Sequence, residues 1–537
     1  MSSMMNLDNL SKPSVQYSAD HVEQHTEELN LANKVLEHEG KEGYVLDAGL
    51  ADSEEGIDLS HLKRAPDGHT ILIPQPSDDP NDPLNWSRFK KHYILYIIGF
   101  TAFLADYGSA TGAGTLVAQG EEWNMSPDDV NHSQSGNVFM LGAGGFAAII
   151  LSAYFGRLPV AFYFLVVNLA TAIYCTVAPN FKHFMAARVL NGFFSTVTQG
   201  GGLMFIKDIF FFHEHARKIN VWSAFYILSP YLGPFAAGFI VNVTTWRWCF
   251  GLFTILSGIG LILVTLFVDE TFYDRTIPPE KQPARGTRVE RVLGIAQWRS
   301  RHLRNSFKDA YMRTVKTATR MPVIIGFCYY MLTFAWVVGI NTTLALFLTP
   351  SPPSGYGFSS SGVSFFYFTP MIATVFGEIF GHYFNDFIAV RYIRRHKGHF
   401  EPEARLTTIY VGSVFVIAGL ILSGFALQHL YHWAILAVGW GLYVFGVMLD
   451  TVAILAYLLD CYPEASGEVA AIICMGRTVG GFIVSYFQVK WADATGAAVS
   501  FGTQAAISAA AVLLIVLLQF RGHRLREWSG PLNFKTV

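Results

Sequence analysis

Charge is scarce in this sequence. Asp, Glu, Lys and Arg make up 15% of its 537 residues, against about 25% in an ordinary soluble domain. With 52% of residues hydrophobic, the chain does not read as a water-soluble multi-domain enzyme. A basic excess is missing too: 38 basic residues face 40 acidic ones, which argues against nucleic-acid binding. Cysteines number five, and none has CxxC or Cys/His spacing, so neither a disulfide framework nor a zinc or redox site is expected. Cys175, Cys249, Cys328 and Cys474 lie in apolar runs, with Cys461 just past one, and read as small buried hydrophobes. HExxH, GxSxG, a Walker loop and a Rossmann fingerprint are all lacking. Those absences exclude the matching enzyme classes, a self-contained ATP-driven pump and any expected cofactor. No basic segment is followed by a short apolar run and a cleavage site, so no signal peptide is expected.

What the chain has in quantity is apolar runs, with 44 Phe and 48 Gly suited to lipid contact and close helix packing. A span needs about 20 mostly apolar residues. Twelve candidates lie near 92–117, 134–156, 158–178, 184–207, 219–241 and 248–268, then 322–348, 361–388, 407–427, 433–458, 469–490 and 497–520. The expected fold is an all-α membrane protein of twelve transmembrane helices in two six-helix bundles, residues 88–270 and 321–521. Before them, residues 1–87 carry 17 acids and 5 bases and read as a disordered cytosolic tail. Residues 271–320 form a central loop with twelve Lys/Arg, and residues 522–537 a short tail.

Bases cluster on one side of this layout: Arg88, Lys90 and Lys91; Arg217 and Lys218; Arg391, Arg394, Arg395, Lys397 and Arg405; Arg521, Arg524 and Arg526. Loop one–two, with Glu121, Glu122, Asp128 and Asp129, has none, so both termini are expected in the cytosol. In the central loop Val289, Val292, Ala296, Leu303 and Phe307 recur at helical spacing. Arg288, Arg291, Arg299, Arg301 and Arg304 stand among them and Trp298 beside them, which predicts a basic amphipathic helix on the inner leaflet. Sequons at Asn124, Asn131 and Asn242 are possible glycosylation sites on the other side.

Local motifs sharpen the class. FGRLPV (Phe155 to Val160) resembles the loop signature of the major facilitator superfamily. Gly156 and Arg157 match, but Ala153 fills the acidic slot, and Tyr154 and Leu158 fill arginine slots. Arg188 with Gly192 resembles the superfamily's R-x-x-x-G signature in span four. SPYLGPFAAG (Ser229 to Gly238) resembles its antiporter motif in span five, with Gly233, Pro234 and Gly238 matching. The runs DPLNWS, KDIFF, WRWCF, DETFYDR, EPEARL and AYLLDCYPE resemble fungal members of the twelve-span drug:proton antiporter family. Among those are yeast transporters of polyamines and histidinol and exporters of secondary metabolites. The resemblance implies two pseudo-symmetric bundles around a central site, with Arg157 and Asp386 at a gate.

Ionisable residues inside spans are costly, so the few present are site candidates. They are Asp106 in span one, Glu378 in eight and Asp450 in ten, with Arg188 and Arg477 as intramembrane bases. Each carboxylate could carry a proton or bind an amine, or could instead be half of a structural ion pair with either arginine. Tyr329, Trp336 and Tyr486 offer ring faces, and Asn341 a hydrogen-bonding amide. The expected function is proton-coupled transport of a small organic molecule by alternating access, in the efflux direction. Uptake of polyamines or related organic cations is the alternative, and a non-transporting nutrient sensor a third reading. A monomer in the plasma membrane is expected, with protons, substrate and lipid as its only partners.

Overall fold

The computed structural model describes residues 63, 72, 74–275, 277–303, 306–395, 401–462, 465–530 and 532. Among these, eleven helices are long and apolar enough to cross a bilayer. The first half contributes Arg88–Thr111, Pro127–Phe155, Arg157–Val177, Phe212–Val243 and Arg247–Phe267 as spans one, two, three, five and six. Span four is the twelfth, divided at Thr196 into Phe181–Ser195 and Val197–Ile209. In the second half spans seven to twelve are Met321–Leu348, Ser360–Phe366 continued by Phe368–Arg395, Thr407–Gln428, Trp433–Cys461, Ser466–Thr495 and Ala497–Ser529.

Helix starts follow from local capping. Ser126 accepts the Asp129 N–H, Pro127 takes the first turn, and Asp128 and Asp129 face the positive end of the helix dipole. Span two therefore begins about two turns before its apolar run. Gly156, with φ of 100°, ends that helix and lets Arg157 start the next.

Packing repeats with a shift of six. Span one lies on five as seven lies on eleven; two on four as eight on ten; three on six as nine on twelve. Between halves, two meets eleven and five meets eight, the same relation again. The architecture is two pseudo-symmetric six-helix bundles. Close approach of span five to span one requires Gly233, where a Cβ would stand 2.6 Å from the Tyr107 carbonyl oxygen and 2.9 Å from the Thr111 nitrogen.

Three expectations change. Most of residues 1–87 lies outside the described residues, but 74–87 is packed, not disordered. Asp82, fully buried, caps the turn Pro83–Asn85 and holds Arg275 at 2.9 Å, while Trp86 lies under Lys90 at 3.7 Å. The central-loop helix is broken. Gly294 adopts φ of 80°, separating Arg288–Val292 from Ile295–Arg299, and Phe307–Ala318 follows after a turn. The expected stripe splits with it, Val292 being buried and Val289 exposed, and Arg304 lies outside the described residues. Asn131 is wholly buried within span two, with its amide on the Ser485 carbonyl, so that sequon cannot take a glycan in this fold. Asn124 and Asn242 are exposed, and the Asn242 amide donates to the Ser361 hydroxyl.

The glycine at 233 supplies a test. Ala at this position meets backbone that cannot yield, an overpacking that costs about 1–3 kcal/mol. A methyl group added at Gly201 would meet no atom within 4 Å. Thermal unfolding of purified protein is expected to show a lower Tm for Gly233→Ala and an equal or higher one for Gly201→Ala, where only helix propensity acts.

Candidate functional site

A cavity of about 110 Å³ lies between the halves, walled by spans one, two, four, five, seven, ten and eleven. Trp222, Tyr226, Tyr231, Tyr330 and Phe334 give it an aromatic lining. Among its lining residues only Asp106 and Arg477 carry charge, and they face each other across the halves. Arg477 Nη1 donates to Asp106 Oδ2 at 3.0 Å and Nη2 to Oδ1 at 3.3 Å. Gln199 of span four donates to Oδ2 at 2.6 Å. Both charged side chains are mostly buried, so each satisfies a partner that would be costly to leave alone.

Arg188 does not pair with a carboxylate. It donates to the Gly108 and Ser109 carbonyls at 2.7 and 2.6 Å and to Gln134 Oε1 at 2.5 Å. Those carbonyls belong to the last turn of span one, where helical partners run out. Arg188 thus caps the helix that carries Asp106. Gly192, one turn on, lets span four touch the Asn137 backbone, and the Asn137 amide returns a bond to the Arg188 carbonyl at 2.6 Å.

Span five shows what its prolines do. Pro230 and Pro234 lack N–H groups, so the carbonyls of Tyr226 and Pro230 lose their helical donors. Ser229 Oγ donates to the Tyr226 carbonyl at 2.6 Å. The Pro230 carbonyl receives Asn341 Nδ2 of span seven at 3.1 Å, a bond between halves inside the cavity wall. Gly238, further along, admits Ser364 of span eight at the same seam.

Other expected site residues lie elsewhere. Asp450 is buried inside the second half, accepting the Tyr329 hydroxyl at 2.8 Å, and neither lines the cavity. Trp336 is buried and donates to Ser508 at 3.1 Å. Glu378 sits at the five–eight seam against Ser223. One turn on, His382 meets Asn220 of span five at 3.1 Å. Tyr486 stacks on His132 of span two at 4.6 Å, beside the Asp128–Lys490 ion pair of 3.2 Å, closing the face opposite the termini.

The expected gate pair is also apart. Asp386 lies 3.6 Å from both Arg405 and His382, whereas Arg157 forms a 3.0 Å ion pair with Asp208 at the end of span four. Glu270 accepts the N–H groups of Arg157 and Leu158 at 3.0 and 3.3 Å, capping span three, whose third residue is a proline with no N–H. Beside it Asp269 holds Lys90 and Arg291 at 3.2 and 2.9 Å. Burial pushes the Asp269 carboxyl up, but Arg285, Lys90 and Arg291 outweigh it and hold the group below the usual carboxylate range. Its contribution is complete above about pH 4 and is lost as pH falls through the lowered value. Asp208 and Glu270 stand within the KDIFF and DETFYDR runs, which is the sequence signal for them. Gln199, Gln134 and Asn137 are uncharged and carry no such signal.

The span-five bond makes a double-mutant cycle decisive. Asn341→Leu leaves the buried Pro230 carbonyl unpaired, at a cost of about 1–3 kcal/mol. In a Pro234→Ala background the helix supplies its own donor, so the same change is expected to cost clearly less in Tm. Equal losses in both backgrounds would remove the role assigned to the proline.

Comparison with known proteins agrees with this fold. The family model described as Major Facilitator Superfamily matches residues 95–485. An efflux pump, radE of Floropilus chiversii, is 24% identical, with 84% of this chain and 84% of that protein covered. Protein HOL1 of Saccharomyces cerevisiae is 23% identical over 89% of this chain and 94% of its own. Among solved structures, the proton:xylose symporter XylE, from E. coli, aligns with a TM-score of 0.59 at 14% identity, covering 81% of this chain and 96% of that one. At that identity the likeness concerns the fold alone. The chain belongs to the Major Facilitator Superfamily, and is a membrane transporter of small molecules, not an enzyme.

Proposed function

We propose that this chain is a proton-coupled exporter of amphipathic organic molecules, neutral or singly cationic, working by alternating access. The observation that carries the reading is the cavity's charge balance: one carboxylate, Asp106, held by one arginine from the other half. An organic cation or a proton can each take the place of Arg477 at Asp106, and the two are mutually exclusive there. Competition of that kind is the basis of antiport. Export is further supported by the named efflux pump among the relatives and by the proline-bearing segment of span five. The aromatic walls suit flat or greasy substrates through stacking and cation–π contact.

Polyamine uptake fits less well. A polycation entering this cavity meets Arg477 and has a single carboxylate to share with it. In the same reading residues 88–270 and 321–521 rock as two units, with Asp106, Gln199 and Arg477 as the switch. Arg157 with Asp208 and Asp386 with Arg405 hold the ends of the spans on the terminal face. Glu378 and Asp450 lie outside the cavity and serve packing or secondary proton sites. Cytosolic termini are supported by the basic residues on the terminal face, and a monomer in the plasma membrane is part of the same proposal.

The test is flux in proteoliposomes with a fluorescent lipophilic monocation such as rhodamine 6G. A pH gradient is expected to drive transport by the native chain. Asp106→Asn should lose gradient-driven flux by at least about tenfold while keeping dye exchange without a gradient. Because removal of one partner strands the other, Arg477→Gln alone should lower Tm, and the Asp106→Asn/Arg477→Gln pair should recover much of it. Flux indifferent to the gradient in the native chain sinks the coupling mechanism.

A further inference from the structure

A second cavity lies away from the central one, on the outer flank of spans two and three. It has a volume of about 460 Å³, inside the range of roughly 300–1,000 Å³ of small-molecule sites. Its walls are apolar: Leu151 and Phe155 from span two, Val160 and Tyr163 from span three, and Ile295 and Trp298 from the central loop. The loop is fixed there by definite contacts. Arg288 donates to the Thr265 and Val268 carbonyls at the end of span six, at 2.8 and 3.0 Å. The Tyr163 hydroxyl donates to the Leu293 carbonyl at 3.3 Å. Gly294, in its left-handed conformation, sits so close to Pro159 that a Cβ would stand 3.2 Å from the proline ring. The broken helix therefore roofs the groove without filling it.

Two features identify what fills it. The groove runs into the outward face of span three, where Tyr163, Val166, Ile173 and Tyr174 are exposed. In a bilayer that face meets acyl chains. At the mouth, Trp298 is 54% exposed and the Arg301 guanidinium lies over its ring at 4.4 Å. Among the described residues no carboxylate lies in ion-pair range of Arg301. An apolar slot opening to lipid tails, with an interfacial tryptophan and an arginine at its rim, has the two-part chemistry of an anionic phospholipid.

We propose that this groove holds an anionic phospholipid, one acyl chain lying between spans two and three under the central loop and the net-negative headgroup at Arg301. Such a lipid fastens the loop to the first half and so influences how the halves move.

Thermal unfolding of the delipidated full chain in detergent tests the idea, with dioleoyl phosphatidylserine, dioleoyl phosphatidylcholine, a short-chain phosphatidylserine and inorganic phosphate as separate additions. Phosphatidylserine is expected to raise Tm saturably by several degrees, phosphatidylcholine less, and inorganic phosphate or the short-chain lipid hardly at all. Leu151→Trp, which fills the slot, should weaken the phosphatidylserine response at least roughly tenfold in concentration. Arg301→Gln should bring phosphatidylserine down to the phosphatidylcholine response. Should Leu151→Trp fail to fold, Trp298→Ala, at an exposed position, serves in its place with the same expected weakening. Equal responses to the two long-chain lipids, a full response to inorganic phosphate, or an unchanged response in the slot variant each overturn the assignment.

Discussion

Everything central in this molecule turns on one carboxylate in a low-dielectric cavity. Asp106 cannot stand there alone, and the group that answers it, Arg477, belongs to the other half of the chain. Breaking such a buried pair by removing one member typically costs about 3–5 kcal/mol. The halves are therefore joined at their centre by an ion pair, and in the proposed mechanism a single proton on Asp106 removes it. The surroundings keep it that way. Gln199 adds a third hydrogen bond to Asp106, and Arg188 caps the helix turn that presents it.

A second tie runs between Asn341 and the Pro230 carbonyl, and it has a covalent origin. Pro234 removes a donor from span five, and the vacancy is filled from span seven. A helix with its own donor at that place would have no need of the other half. The seams combine aromatic contacts, such as Phe239 with Phe365 and Phe139 with Phe482, with small polar and ionic ones, such as Asp128 with Lys490 and Asn220 with His382, which water replaces cheaply. The buried ion pair is the link at the centre, and the seams on either side of it hold apolar and polar contacts together.

Much of the fold was legible in the sequence because the bilayer demands long apolar runs, and twelve of them are hard to miss. What escaped is set by backbone detail. Span four divides at Thr196 and the central-loop helix at Gly294, and neither break interrupts the hydropathy pattern. Within the site, charge made Asp106, Arg188 and Arg477 visible, while facing was decided by helix register and neighbours. Asp450 and Glu378 are as conspicuous in sequence as Asp106, yet packing turns them to Tyr329 and to the Ser223 seam. Arg157 found Asp208, not Asp386, because the partner that replaces the missing acid at Ala153 comes from the end of span four in the same half. Gln199 was illegible, since an uncharged amide in a glycine-rich run has no mark that separates ligand from packing.

The distance between the halves reports directly on whether a proton at Asp106 governs them. Spin labels at Arg217→Cys and Arg391→Cys, exposed at the terminal ends of spans five and eight, read that distance by double electron–electron resonance without any substrate. Acidification is expected to shift the distribution in the otherwise native chain, and Asp106→Asn to hold the acid-like distribution at every pH. An identical pH response with and without the Asp106 carboxylate would contradict its role as the switch.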